Sequence, residues 1–418
     1  MPKIRIREVD NTGTVSPSEV PNVVYIPGPA LTDAVAPKLF TNAKAFHNEV
    51  HASGSGYELD SLSEKMAYHL LTLGMHVIYE GVEVDSVTGE PDSETWSDVW
   101  DRLVDKNLFD VRFLTAGQFL LGKDGEQSTY SENAYKMIEC AATRCDAVAL
   151  LDFKTENDTV DEYREFAEDV ENAASSTLEL ATTKDPASFA AAFAPKWTGY
   201  VKTEDGTEQI ENLPPSFAYL CAFARSVKEN PMWYAVAGSF RGVIPELVEV
   251  NKKYTTADVE MLQARSKTVE VALDESGDNV GVAINPIAYR RPFGYLIYGD
   301  RTLRKNTADD AGVGVLKATS FLNCRILSTE VAKISYNASN KYQFEQNSET
   351  LWTNFISYIL PTLDRMATGN GILDYKIERI ATNKKARLSA RISLEPIEPV
   401  EDFDIEIELT DSISVSAS

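Results

Sequence analysis

The sequence contains no apolar run close to the roughly 20 residues that a membrane-spanning helix needs, so no transmembrane segment is expected. It opens Met1-Pro2-Lys3-Ile4, which starts a strand pattern and not a signal peptide. The expectation is a soluble chain that begins life in the cytosol, without stable membrane association. Cysteine is scarce. Cys140, Cys145, Cys221 and Cys324 lack metal-ligand spacing, and in a cytosolic chain such thiols are expected to be buried and unbridged. Histidine is equally scarce: His47, His51, His69 and His76 all lie early. His47 and His51 stand at i, i+4, but no acidic or cysteine ligand accompanies them at metal-site spacing, so no zinc site is expected. A glycine-rich phosphate loop is missing too, because Gly312-Val313-Gly314 lacks the third glycine and a preceding strand. No metal and no cofactor are therefore expected.

Positive charge is also in short supply, with 40 Lys and Arg against 64 Asp and Glu and a net charge of −24. The deficit is uneven. Residues 301–394 carry 14 basic against 8 acidic residues, whereas residues 395–418 carry none against 8. Residues 1–9 are net +2, which leaves −24 for residues 10–300. A surface that acidic repels nucleic acid over most of its area, so no nucleic-acid partner is expected. The basic C-terminal region suits an acidic protein partner.

What is present is ordinary globular material. Hydrophobic residues make up 43% and charged residues 25%, which excludes disorder of the whole chain. With 418 residues there is room for two or more well-buried domains. Apolar strand patterns at 22–28, 76–79, 111–114, 147–152, 197–201, 280–284 and 295–298 alternate with helical patterns at 63–73, 96–105, 133–144, 158–180 and 214–228. The run Ala147-Val148-Ala149-Leu150-Leu151 is apolar on both faces, as a central parallel strand should be. Repeated strand-helix-strand units predict an α/β middle domain with a mostly parallel sheet over 23–300, with 80–95 as a surface loop or hairpin. From residue 301 the pattern changes. Helices at 328–340 and 349–368, the second with Asn347 as its N-cap and a kink or break at Pro361, precede antiparallel strands at 373–380 and 387–395. This predicts an α+β C-terminal domain over 301–395.

Both chain ends read as strands on tethers. Lys3, Ile4, Arg5, Ile6 and Arg7 alternate basic and apolar, ahead of a turn-rich tether at 10–22. Behind the Pro-rich tether 396–402, Phe403, Ile405, Ile407 and Leu409 share one strand face, and Asp404, Glu406 and Glu408 share the other. The charges are complementary, and each facing pair contributes about 0.2 to 1 kcal/mol. The ends thus read either as a strand pair or as ordinary edge strands, within an N-terminal arm and tether (1–22) and a C-terminal tether and arm (396–418).

A search for chemistry returns little. Asp152 ends a buried strand, where catalytic groups often lie. A Ser-His-Asp system needs a histidine, yet all four precede Asp152, which excludes the subtilisin order of Asp, His, Ser there. Asp60 with His69 lies in no recognisable motif, and Ala318-Thr319-Ser320 is only a faint echo of a serine-nucleophile segment. Asp161, Glu162, Glu165 and Glu168 form a solvated helix face. No catalytic residue is expected, and Asp152 is expected to cap or turn the chain after its strand.

The ordered motifs resemble those of the contractile tail sheath proteins of bacteriophages and related injection machines. They include Tyr25-Ile26-Pro27-Gly28, Pro37-Lys38-Leu39-Phe40-Thr41 with Phe46, Cys145-Asp146-Ala147 running on to Asp152, and Leu213-Pro214-Pro215-Ser216. Tyr298-Gly299-Asp300-Arg301-Thr302-Leu303, Leu322-Asn323-Cys324-Arg325-Ile326-Leu327, Phe344-Glu345-Gln346-Asn347 with Leu351-Trp352, and Gly369-Asn370-Gly371-Ile372-Leu373-Asp374-Tyr375 complete the set. The chain departs from the family where Asp300 follows Gly299 in place of a Gly-Ala-Arg-Thr-like turn, and where Cys324-Arg325 replaces a paired Arg-Arg. The resemblance implies a structural, non-enzymatic subunit of a virion tail, assembled in the host cytoplasm, with a subtilisin-like layer that lacks catalytic residues. It implies copies of itself, an inner tail tube protein, and baseplate and tail terminator proteins as partners. It also implies that both arms add strands to a neighbour's C-terminal domain. The acceptor positions expected here are Tyr375, Ile377, Leu388, Arg391 and Ile392. The rival readings are a subtilisin-like α/β hydrolase and a non-contractile tube or capsid component.

Overall fold

The computed structural model describes residues 22–122, 132–177, 185–264, 279–308, 314–381 and 386–400 of the chain. Lys3 to Arg7 and residues 403–409, the two arm strands, lie outside the described residues. Strands and helices are numbered in chain order. The main sheet is built from β1 (Val23–Pro29), β2 (Val35–Phe40), β3 (His76–Val82), β4 (Phe113–Leu114), β5 (Val148–Leu151), β6 (Ala190–Ala194), β11 (Asn285–Arg290) and β12 (Gly294–Ile297). Their spatial order is β12-β11-β6-β5-β4-β1-β3-β2. The six inner strands are parallel, and antiparallel β12 and β2 close the edges.

Helices cover both faces of this sheet, and the period-two alternation of β1 shows why they must. Val23 and Tyr25 point into a core shared with α3 (Ser93–Leu103), α4 (Glu132–Arg144) and α5 (Val160–Thr177). Val24 and Ile26 point the other way, into a core shared with α1 (Ala43–Val50), α2 (Leu62–Thr72) and α6 (Pro215–Glu229). All seven residues of β1 are buried, as expected of a strand covered on both sides. The Trp96, Val99, Trp100, Leu103 face is buried as its spacing predicts, and the two indoles stack with centroids 5.6 Å apart. Asp92 starts α3 by accepting the Thr95 N–H at 2.8 Å.

Smaller sheets flank this body. β7 (Trp197–Thr203), β8 (Gly206–Leu213) and β9 (Leu247–Val250) form an antiparallel sheet, and β10 (Asn279–Gly281), β13 (Asn306–Ala308) and β14 (Gly314–Val315) form another. Two short helices punctuate these strands, α7 (Gly238–Arg241) between β8 and β9 and α8 (Thr256–Leu262) between β9 and β10. The C-terminal module consists of α9 (Leu322–Lys341), α10 (Glu349–Thr368), β15 (Ile372–Arg379) and β16 (Ala390–Pro396). No helix among the described residues is long and apolar enough to cross a membrane. No disulfide joins the cysteines; Cys140, Cys221 and Cys324 are buried and Cys145 is partly so.

Several expectations need correction. The strand expected over 280–284 ends at Gly281, and the main-sheet strand is β11, which the Asn285-Pro286 pair disguises as a turn. Asn285 is instead a buried clamp, accepting the Arg301 N–H at 2.7 Å and donating to the Ala192 carbonyl at 3.1 Å. The acidic surface loop expected over 80–95 narrows to 83–92, because β3 runs to Val82 and α3 begins at Ser93. Glu80 is buried, accepts from the Tyr25 hydroxyl at 2.7 Å, and pairs with Arg102. Burial raises its pKa, and the Tyr25 and Arg102 contacts oppose that rise. Helix α9 starts at Leu322 and not at 328. Ser348, not Asn347, caps α10 by accepting the Leu351 N–H at 3.2 Å, and the helix continues through Pro361 to Thr368 without a break.

Candidate assembly surfaces

The expected acceptor positions gather in the two-stranded sheet of the C-terminal module. β15 and β16 are antiparallel, with Tyr375 opposite Leu394, Ile377 opposite Ile392 and Glu378 opposite Arg391. Tyr375, Ile377, Ala390, Ile392 and Leu394 are partly buried against a core of Phe355, Ile359, Leu363 and Met366 from α10 with Leu327, Val331 and Ile334 from α9. The opposite face carries Asp374, Lys376, Arg391, Ser393 and Glu395, all exposed, together with the half-buried Glu378. Among the described residues no further strand pairs with either outer edge. An isolated two-stranded ribbon is marginal in water, and its edges offer unpaired N–H and C=O groups to an incoming strand.

Leu388 is not in the ladder. β16 begins at Ala390, three residues later than the pattern predicts, and the last cross-strand bond runs from the Ile380 N–H to the Ser389 carbonyl at 2.8 Å. Leu388 is half-buried in the connection before the strand. Two contacts tie the sheet's polar groups to α10: the Tyr375 hydroxyl donates to Asp364 at 2.5 Å, which pushes its pKa up to about 12, and Arg379 pairs with Glu349 at 2.5 Å.

A seam of polar groups fixes this module to the α/β body. Arg112, just before β4, meets Glu330 of α9 at 2.8 Å, and both side chains are 0% exposed. Lys333 pairs with Asp110, and Tyr336 donates to Asn107 at 2.8 Å. Arg325 lies over the Phe189 ring at 4.0 Å and donates to the Ser188 carbonyl at 3.1 Å; burial pulls its pKa down to about 10. Leu322 and Ile326 belong to the body's second core, while Leu327 and Val331 belong to the module's core. One helix thus serves two cores, so the module cannot swing on α9 without exposing apolar surface. None of this seam follows from sequence spacing, because its partners lie 137 to 229 residues apart.

The chain after β16 does not swing free at once. Ile397 donates its N–H to the Gly371 carbonyl at 3.0 Å, and Pro399 and Val400 line a cleft of about 490 Å³ with Ala237, Phe240, Tyr298 and Asp300. The tether expected from residue 396 is therefore anchored at Ile397, and Val400, 72% exposed, lies at the open rim of the cleft.

Asp152 behaves as a capping group. It accepts from the Ser216 N–H at 2.7 Å and from the Ser216 hydroxyl at 2.5 Å, satisfying the start of α6. Burial raises its pKa to about 7, and the two Ser216 bonds oppose that rise. Among the described residues no histidine bonds to either group. His69 instead accepts the Lys202 N–H at 2.8 Å through Nδ1, and burial holds its pKa down at about 4, so the ring is neutral. The Asp152–Ser216 pair is thus a buried helix cap and not a Ser-His-Asp arrangement.

No protein-family model matches this sequence, and no curated protein does. Solved structures do match. One is a chain of the anti-feeding prophage (AFP) baseplate, 6-fold symmetrised, with a TM-score of 0.59, 12% identity, and coverage of 98% of this chain and 99% of that one. Another is a chain of the PVC sheath complex of an extracellular contractile injection system in its contracted state, with a TM-score of 0.59, 15% identity, and coverage of 99% and 98%. A chain of the AFP baseplate in the contracted state matches at a TM-score of 0.57 and 13% identity, with 97% of each chain covered. At these identities the likeness establishes a shared fold, and it extends from end to end of each chain.

Proposed function

We propose that the chain is a structural, non-enzymatic subunit of a contractile sheath, which polymerises around an inner tube and shortens to drive that tube through a target envelope. The observation that carries this reading is the end-to-end fold likeness to subunits of contractile particles, one of them a contracted sheath. Its partners are further copies of itself, the tube protein, and baseplate and tail terminator proteins, and its place is the tail of a phage-like particle.

Subunits are linked by strand addition to the open edges of the β15–β16 sheet, at Tyr375, Ile377, Arg391 and Ile392. The donors are Lys3 to Arg7 and residues 403–409 of neighbouring copies. The N-terminal tether, 10–22, spans up to about 40 Å when extended. With Ile397 held to the Gly371 carbonyl, the five residues 398–402 give the C-terminal arm a reach of up to about 17 Å when extended. That arm therefore reaches less far than the N-terminal one and must find its acceptor nearer to its own sheet. The buried seam around Arg112 and Glu330 favours contraction by rigid-body movement of whole subunits about these strand links. Contraction must also bring new contacts that outweigh the repulsion between acidic bodies, since equally stable packings can do no work.

The test is deletion of residues 1–9 or of residues 403–418, followed by negative-stain microscopy with and without a tube protein. Each truncated chain is expected to remain folded and soluble but to form no cylinders. Cylinders of normal length from both truncations would sink the strand-link proposal. Failure of the full-length chain to form any hollow cylinder would sink the sheath reading itself.

A further inference from the structure

The fold supplies what the sequence spacing of His47 and His51 lacks. His47 lies on α1 and His51 is the residue that ends it, and their rings stack with centroids 4.1 Å apart. Glu64 of α2 is brought against them, with its Oε1 at 2.7 Å from His51 Nε2. The carboxylate is held in place: its Oε2 accepts the Asp60 N–H at 2.8 Å, and the Glu64 N–H is capped by Ser61 at 3.2 Å. Tyr68 closes the far side of His47, ring to ring at 6.4 Å. One ligand atom from each of His47, His51 and Glu64 falls within 4.8 Å of the others. Glu64 is 9% exposed and His51 28%, so the cluster has a buried anchor and an entry from solvent.

We propose that this α1–α2 corner is a binding site for a divalent transition metal, zinc above all. Two imidazoles and a carboxylate make a three-ligand set for tetrahedral zinc, with a fourth position left for water. Imidazole nitrogen also suits copper and nickel, whereas magnesium and calcium prefer oxygen. A metal about 2.0 to 2.1 Å from each ligand atom requires the His51–Glu64 contact to open to about 3.3 Å and the two stacked imidazoles to turn apart so that each ring plane points at the ion, adjustments open to the partly exposed His47 and His51 side chains. The cation then takes the place of the hydrogen between Nε2 and Oε1, with the ring proton carried on Nδ1. Binding joins α1 to α2 beside β2, the antiparallel edge of the main sheet.

A second cluster, His69, Cys221 and Glu246, lacks this capacity despite similar distances. Arg225 already neutralises Glu246, and His69 Nδ1 is engaged by the Lys202 N–H. A guanidinium stands where a cation would be needed.

The experiment is isothermal titration of Zn²⁺ into the EDTA-stripped full chain, with the Co²⁺ absorption spectrum as a second readout. One site per chain is expected, with a tetrahedral-type Co²⁺ spectrum and a Tm that rises with Zn²⁺ concentration. His47→Ala and His51→Ala should each weaken binding on the order of 100-fold or more and abolish the Tm rise, while Cys221→Ala leaves both intact. Absence of Zn²⁺ binding by the wild-type chain, or unchanged affinity and stoichiometry in the His47→Ala, His51→Ala double variant, overturns the site. Should His51→Ala fail to fold, His47→Ala decides the matter alone, since that side chain rests on His51 and Tyr68 through ring contacts.

Discussion

β1 and β16 are both seven-residue strands, and they lead different lives. Every residue of β1 is buried between helical layers, whereas β16 alternates half-buried and exposed along its length and has one face on helices and the other in water. A strand like β1 has its backbone partners on both sides, in β3 and β4. β16 has β15 on one side and no described partner on the other. The contrast separates a core whose strands are paired on both sides from a ribbon whose outer edges meet no other strand among the described residues. Substitutions at three places set that contrast against measurement.

The largest effect is expected at the seam between the two regions. Arg112→Ala leaves Glu330 buried without its partner and should cost about 3 to 5 kcal/mol in denaturant unfolding. Replacing both, as Arg112→Met with Glu330→Leu, should recover most of that loss, because two apolar side chains of similar size avoid the desolvation of two charges. A double variant as unstable as the single one would show that the pair acts through geometry and not through charge.

An effect no larger than that belongs to Asp152 inside the body. Its pKa in the folded chain, about 7, lies above the ordinary carboxylate value of 3.8, so the folded state holds its proton where the unfolded state has released it. The resulting stabilisation is complete below about pH 4 and is lost as the pH rises to about 7. Each pH unit across this window is worth about 1.4 kcal/mol, so the loss amounts to a few kcal/mol. The stability difference between wild type and Asp152→Asn, measured by urea unfolding across this range, should change by that amount. Taking the difference removes the opposing contribution of His69, whose depressed pKa destabilises the fold as the pH falls from about 6.5 to 4. A pH-independent difference would show that Asp152 is ionised throughout.

The smallest effect is expected in the ribbon. Arg379→Ala removes an exposed pair with Glu349 and a 3.0 Å bond to Asn347, and should cost no more than about 1 kcal/mol. The same substitution type thus costs several times more at the seam than at the ribbon. Equal losses at Arg112 and Arg379 would erase the distinction between the regions.

Much of the fold can be read from local periodicity. Helix α10 spans 349–368, as its apolar spacing indicates, and Phe355, Ile359 and Met366 are buried on it. Tyr375, Ile377, Arg391 and Ile392 lie in strands where the alternation places them, while Leu388 falls outside because strand ends are set by the last ladder bond and not by pattern. Charged residues were the least legible. Glu80 reads as part of an acidic loop but is buried, because Tyr25 and Arg102 reach it from 55 and 22 residues away. Nothing in the local pattern of α2 singles out Glu64, and its meeting with His51 depends on how α1 turns back onto α2.

The sequence by itself determined many of the helices and central strands, β1, β3, β5, α3 and α10 among them, which of their faces are apolar, and that no histidine follows Asp152 to complete a serine-hydrolase order. Those properties repeat over a few residues, within the reach of local backbone geometry. Only the tertiary structure decided that Arg112 meets Glu330, that Ser216 meets Asp152, that Ile397 is tied to Gly371, and that Glu64 comes beside His47 and His51. Such meetings depend on which strands become neighbours and how helices cross them. Burial then makes each polar partner obligatory, because a charge without one is too costly to keep inside.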